Sequence, residues 1–91
     1  MRDEERIKVP ADVLSRILDG EAVLLDLRDG AYYGLNEPGS RIWELLATGM
    51  TVGELRARML AEFDVDEATL RRDLEELLGE LTRRGLVDLQ G

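Results

Sequence analysis

VLLDLRDGAYYGLNEPGSRIWELL, residues 23–46, is the stretch that decides the predicted fold. It consists of an apolar strand, a turn that contains Gly30, a second strand with two tyrosines, and a capped helix. We expect the tyrosine strand, residues 31–35, to lie at an unpaired edge of a sheet. Such an edge exposes a row of N–H and C=O groups, so a protein either blunts it against aggregation or uses it to bind a peptide as an added strand.

Length and composition indicate a single domain over residues 1–91. The chain has 91 residues, of which 44% are hydrophobic, which suffices for one core. No apolar run reaches the roughly 18 residues that cross a bilayer, so we expect a cytoplasmic protein with no membrane partner. The sequence contains no cysteine and no histidine, which removes thiolate chemistry, the commonest general base and the commonest metal ligand. We therefore expect no catalytic residue, no metal site and no cofactor.

Charge argues against nucleic acid as a partner. The formal net charge is −8, and six acidic side chains outnumber four basic ones between residues 66 and 84. Because nucleic-acid binding depends on Lys and Arg neutralising phosphates, this surface would repel a phosphate backbone. A winged-helix DNA-binding regulator remains a disfavoured alternative.

Strands are predicted before residue 36 and helices after it. Val13–Leu18 and residues 22–27 form a hairpin around Asp19-Gly20, a dipeptide that suits a tight turn. Residues 7–10 form either a short strand or an arm. This order predicts an α+β fold of winged helix-turn-helix type, with a three-stranded antiparallel sheet followed by three helices.

Three helices are predicted, each with a capping residue at its start. Asn36, Thr51 and Asp66 can accept hydrogen bonds from the free N–H groups of a first turn. Helical spacing assigns an apolar stripe to each helix, and we expect these stripes, with Trp43 as a structural residue, to form the core. The stripes are Ile42, Trp43 and Leu46; Leu55, Met59, Leu60 and Phe63; and Leu70, Leu74, Leu77, Leu78 and Leu81.

Two registers are possible between the second strand and the tyrosine strand. A two-residue Asp29-Gly30 turn would pair Leu27 with Tyr32 and scatter the aliphatic residues over both faces. A three-residue loop, residues 28–30, places Gly30 at a left-handed position and pairs Leu25 with Tyr33. We favour this second register because it makes one face wholly apolar. It directs Val23, Leu25, Leu27, Ala31, Tyr33 and Leu35 to the core, and Leu24, Asp26, Tyr32 and Gly34 to the other face.

The sequence resembles the PqqD-like leader-peptide recognition elements of ribosomally made, post-translationally modified peptide pathways. The resemblance rests on the order of several motifs: GEAVLLDL at 20–27, GAYYGLN at 30–36, IW at 42–43, and GLV at 85–87 after Asp73 and the leucines of the third helix. It is greatest to the stand-alone recognition proteins of lasso-peptide clusters. The usual Pro-Glu dipeptide of the pyrroloquinoline quinone protein is replaced here by Leu27-Arg28-Asp29.

This resemblance implies a non-enzymatic adaptor that binds the leader of a precursor peptide as a strand beside residues 31–35. It also implies two partners: a leader-cleaving cysteine peptidase and, indirectly, an ATP-dependent macrolactam synthetase. Alternatives are a PqqD-type peptide chaperone that serves a radical SAM enzyme or another maturase, and a scaffold subunit. The implied strand wall of the site is Ala31, Tyr32, Tyr33, Gly34 and Leu35, and the implied helix wall is Leu70, Asp73, Leu74 and Leu77.

Several of these residues also have a purely structural interpretation. Tyr33 and Leu35 either pack in the core or touch a ligand. Tyr32 is either an ordinary strand residue or an exposed contact. Asp73 either accepts hydrogen bonds from a bound peptide or is a solvated helix residue that pairs with a nearby arginine.

Overall fold

The computed structural model describes residues 1–91 and places a three-stranded sheet against three helices. Strands β2, β3 and β4 pair antiparallel in that order, which confirms the α+β class and the sheet that precedes the helices. No helix is long and apolar enough to span a bilayer. The elements are β1 (Arg6–Lys8), β2 (Val13–Leu18), β3 (Glu21–Asp26), β4 (Ala31–Gly34), α1 (Glu37–Leu46), α2 (Val52–Glu62), α3 (Glu67–Arg83) and β5 (Asp88–Gln90).

The tight turn between β2 and β3 has the predicted position and conformation. Asp19 has φ 51° and Gly20 has φ 80°. Positive φ at both central residues is what a type I′ hairpin turn requires, and Asp and Gly adopt it at the lowest cost. The two six-residue strands pair along their full length as a result.

The register between β3 and β4 differs from both sequence-based alternatives. Leu24 lies opposite Tyr33, and four residues, 27–30, connect the strands. Gly30 does adopt the predicted left-handed conformation, with φ 74°. The inward direction of Tyr33 and the outward direction of Tyr32 are also confirmed, because Tyr33 packs on the core while Tyr32 is 73% exposed.

The one-residue difference exchanges the two faces of β3. Ala22 and Leu24 are fully buried against the helices, and Asp26 is buried beside them. Leu35 is buried as predicted, whereas the connecting loop and the first residue of β4 are exposed. The predicted core positions Val23, Leu25 and Leu27 are therefore wrong, as are the predicted outer positions Leu24 and Asp26. Ala31 lies on the predicted face, opposite Asp26, but is exposed at the end of the strand.

The inward position of Asp26 is possible because Arg28 neutralises it. The guanidinium donates from Nε and Nη2 to the two carboxylate oxygens over 2.9 and 3.0 Å, and the Arg28 backbone N–H donates over 3.0 Å. Arg28 Nη2 also donates to the carbonyl of Gly85 over 2.7 Å. These bonds satisfy a carboxylate that polarity patterning assigns to the outer face, and they tie the β3–β4 connection to the end of α3.

The helices begin at the three predicted caps. The Asn36 side chain accepts from the Gly39 N–H over 2.9 Å, Thr51 and Glu54 form a capping box, and Asp66 accepts from two N–H groups. Buried Ser40 Oγ accepts the Ala22 N–H over 2.6 Å, which joins the first turn of α1 to β3. This join holds α1 close behind the strand that precedes β4.

The leucine stripe of α3 provides much of the core. Leu70, Leu74, Leu78 and Leu81 are buried, and Trp43 of α1 is buried with them, as predicted. Three stripe positions differ. Phe63 is exposed at the C-terminal cap of α2, outside the core, while Leu60 and Leu77 are half-buried at the border of the core.

The two chain ends pair with each other in a second, two-stranded sheet. β1 and β5 are antiparallel, with buried Ile7 opposite Leu89. Residues 6–8 are therefore a strand rather than an arm. Leu86 and Val87 are buried and lead directly into β5, a strand that the sequence did not predict.

Candidate functional site

Strand β4 has a free edge. It pairs with β3 on one side and with no strand on the other. The Leu35 N–H donates to the Ala22 carbonyl over 2.9 Å, so alternation along an antiparallel ladder directs the main-chain groups of Tyr33 toward β3 as well. The N–H and C=O groups of Tyr32 and Gly34 therefore point to the open side, where a further strand can bind them.

A groove of about 490 Å³ begins at the C-terminal end of this edge. One wall is the end of β4, the opposite wall is α3, and the first turns of α1 close one end. Tyr33, Gly34, Leu35, Asp73 and Leu77, five of the sequence-predicted site residues, lie together here. The remaining lining residues are Asn36, Pro38, Gly39, Ile42 and Glu76.

The four other predicted site residues lie elsewhere. Leu70 and Leu74 are buried beneath α3 and belong to the core rather than to the groove lining. Ala31 and Tyr32 lie at the other end of β4, at a smaller hollow of about 190 Å³. The nine residues of the implied site therefore fall into three groups: five line the groove, two lie at the smaller hollow at the other end of β4, and two are core leucines.

Tyr33 lines both the groove and the smaller hollow, and Arg84 lies over its ring. The guanidinium carbon of Arg84 is 4.7 Å from the centre of the Tyr33 ring. Arg84 Nε in turn donates to Glu80 over 2.6 Å. Cation–π attraction and this ion pair fix the aromatic wall between the groove and the hollow. Sequence reasoning missed this role of Arg84, which resembled an ordinary basic residue at a helix end.

The α1 contribution to the groove was also missed. Asn36 and Pro38 fit the pattern of a helix start, and Ile42 fits a core stripe. Their position directly after the edge strand is the signal that could have identified them, since a cap beside an open edge must face whatever occupies that edge.

Carboxylates lie along the α3 side of the groove. Asp73 and Glu76 line it, and neither is within 4.0 Å of a basic nitrogen, so Asp73 does not pair with an arginine. The floor between them and β4 is apolar, formed by Leu35, Ile42 and Leu77. The groove can therefore bury apolar side chains while its rim accepts hydrogen bonds from N–H groups.

An open strand edge beside an apolar groove defines a class of small winged-helix-like domains that bind extended peptides. The particular family follows from the sequence: residues 21–87 match the model of coenzyme PQQ synthesis protein D (PqqD), and the chain belongs to this family. The recognition made from the sequence motifs is thereby confirmed. None of the curated protein sequences compared with the chain matches it.

Two solved structures are similar over almost the whole chain. TbiB1 in complex with the TbiA(beta) leader peptide is 41% identical, with a TM-score of 0.84 over 89% of this chain and 94% of that one. A lasso peptide synthetase B1 complexed with the leader peptide is 24% identical, with a TM-score of 0.79 over 90% and 96% of the two chains. The second likeness supports the fold, and the first also supports close kinship.

Proposed function

We propose that this protein binds the leader of a ribosomally made precursor peptide of lasso type and acts as a non-catalytic adaptor. The observation that carries the proposal is the 41% identity to TbiB1, a protein whose structure contains a leader peptide, together with the unpaired β4 edge beside a groove in this chain. Because an adaptor only holds the leader and does not modify it, a binding surface is sufficient for this role.

The leader adds to β4 as an antiparallel strand. Main-chain bonds to Tyr32 and Gly34 give affinity that tolerates many sequences, and side chains that point inward give selectivity. Alternate side chains of a strand on one face are roughly 7 Å apart, so successive inward residues meet the groove and then the hollow beyond Tyr33. The apolar floor favours apolar leader residues at the groove.

The adaptor delivers the bound precursor to other proteins in the cytoplasm. We propose a leader-cleaving cysteine peptidase as the direct partner and an ATP-dependent macrolactam synthetase as an indirect one. The absence of cysteine and histidine from the sequence supports a role without chemistry of its own.

A direct titration tests the proposal. The leader of the precursor encoded beside this chain, labelled with a fluorophore, should bind the protein at micromolar concentrations. Tyr33→Ala combined with Asp73→Ala should weaken binding about tenfold or more, because the pair removes an aromatic wall and a hydrogen-bond acceptor from the groove. Glu75→Ala is the matched control, since Glu75 is an exposed α3 carboxylate outside the groove.

Two results contradict the proposal. One is a leader that does not bind at micromolar concentrations. The other is a double variant that binds as tightly as the unchanged protein, which would move the site away from the groove.

A PqqD-type peptide chaperone that serves a radical SAM enzyme is the second candidate. The family match itself favours it, because the matching model is described as a coenzyme PQQ synthesis protein. The same titration separates the two candidates when it is run with a lasso-type leader and with the precursor peptide of the PQQ pathway. The proposal requires tighter binding of the lasso-type leader.

A further inference from the structure

The outer face of the three-stranded sheet is apolar and uncovered. Leu14, Leu18 and Tyr32 are exposed there, with half-buried Val23 and Leu25 between them. They surround a shallow hollow of about 410 Å³ on the side opposite the helices. A sheet that covers its core on one face usually presents polar side chains on the other. A contiguous apolar patch on a small protein marks an interaction surface.

The patch is continuous across all three strands. Leu14 lies opposite Leu25, and Leu25 lies opposite Tyr32. Directly opposed side chains on one face of an antiparallel pair are close neighbours, so these residues form one stripe from β2 to β4. The stripe reaches the strand whose far edge is free.

One cation interrupts the patch. Arg16 lies opposite Val23 on the same face, and it forms no ion pair with any residue of the chain. Glu21, opposite Leu18, is the other charged residue that the strands present on this face, and Arg16 forms no ion pair with it. An unpaired arginine beside leucines favours a partner that brings apolar side chains and a carboxylate to this point.

Net charge disfavours a second copy of the chain. Each copy carries a charge of −8, so two copies repel each other as they approach.

The position of Tyr32 connects this face with the leader site. Its side chain lies on the outer face, while its main-chain groups point to the open edge of β4. A strand added there extends the sheet, so a protein seated on the outer face lies directly beside the bound peptide. This step rests on the proposed function.

We propose that the outer face docks the peptidase that cleaves the bound precursor, through an apolar surface of that enzyme that carries an acidic residue facing Arg16. The adaptor then holds the peptide at its edge and the enzyme on its adjoining face. Leu14 and Arg16 belong to the outer face and not to the leader edge, so the docking face can be disabled alone.

Three variants test the docking face, with the leader peptidase encoded beside the precursor as the probe. Leu14→Asp and Arg16→Glu, each measured in the leader-saturated protein by calorimetry, should weaken peptidase binding about tenfold or more. Ile17→Asp is the matched control: Ile17 is 45% exposed against 50% for Leu14, on the same strand but on its opposite face. It should leave peptidase binding unchanged.

Leader titration of the same variants separates this inference from the proposed function. The outer-face variants should bind the leader as the unchanged protein does. If the leader binds but Leu14→Asp and Arg16→Glu retain full peptidase binding, the docking face is wrong while the leader site stands. Sedimentation that shows a dimer abolished by Leu14→Asp would assign the face to a second copy and overturn the inference as well. Failure of the unchanged protein to bind the leader refutes the proposed function itself.

Discussion

Replacement of Gly34 by proline should weaken leader binding while it leaves the fold intact. The Gly34 N–H points away from β3, so the loss of this donor removes no hydrogen bond from the sheet. Proline is tolerated on edge strands for this reason, and the extended conformation of the preceding Tyr33 suits a residue before proline.

The expected magnitude follows from one main-chain bond. In the proline variant, the leader carbonyl that would accept the Gly34 N–H has no partner. The free energy of binding should become less favourable by about 1–3 kcal/mol. That range corresponds to a roughly 5- to 150-fold larger dissociation constant. The proline ring also occupies space at the edge, which acts in the same direction.

Fluorescence anisotropy of a labelled leader measures the effect, and thermal unfolding measures stability in the same samples. Gly34→Ala is the matched control, since it retains the N–H and its Cβ would meet no atom within 4 Å. A proline variant that is folded and binds as tightly as the alanine variant would refute strand addition at β4. Equal weakening in both variants would show that the space above Gly34 matters and the N–H does not.

Three further predictions concern the elements that hold the site. Ser40→Ala leaves the buried Ala22 N–H without its acceptor, so the free energy of unfolding should fall by about 1–3 kcal/mol in denaturant titrations, whereas exposed Ser15→Ala should change little. Arg84→Gln removes the cation above Tyr33 and should weaken leader binding a few-fold in the anisotropy assay; unchanged binding would show that Tyr33 needs no such support. Arg28 lowers the pKa of Asp26 below its ordinary value of 3.8 through its side-chain hydrogen bonds. The unfolded chain therefore binds more protons as the pH falls through this region, and the stability supplied by the pair is present above about pH 4 and lost below it. Acid titration of Arg28→Met should show a smaller loss over that interval, and an identical loss in both proteins would exclude this pair as its source.

Features governed by neighbouring residues could be predicted from the sequence. Asn36, Thr51 and Asp66 cap helices through side chains that reach only two or three residues along the chain, and Asp19-Gly20 forms its turn without outside help. Such contacts depend on local spacing and backbone preference, which a sequence displays directly.

Features governed by distant residues could not be predicted. The register of β4 depends on a buried Asp26 that is satisfied by Arg28, which also bonds Gly85, 57 positions away. A polarity pattern places a carboxylate outside unless its partner is known. The α1 side of the groove was missed for a related reason, since Pro38 and Ile42 already had sufficient local explanations.

The edge of β4 is free because the remaining strands, β1 and β5, pair with each other and not with β4. The chain contains a further short strand, β5, that could have covered an edge, yet β5 pairs with β1 at the opposite end of the sequence. β4 carries neither lysine nor proline, the residues that commonly blunt an edge, and instead presents tyrosines and glycine. An unprotected edge next to an apolar groove exposes a protein to aggregation unless it is regularly occupied. Its retention beside an otherwise satisfied core is therefore best explained by a peptide that completes the sheet.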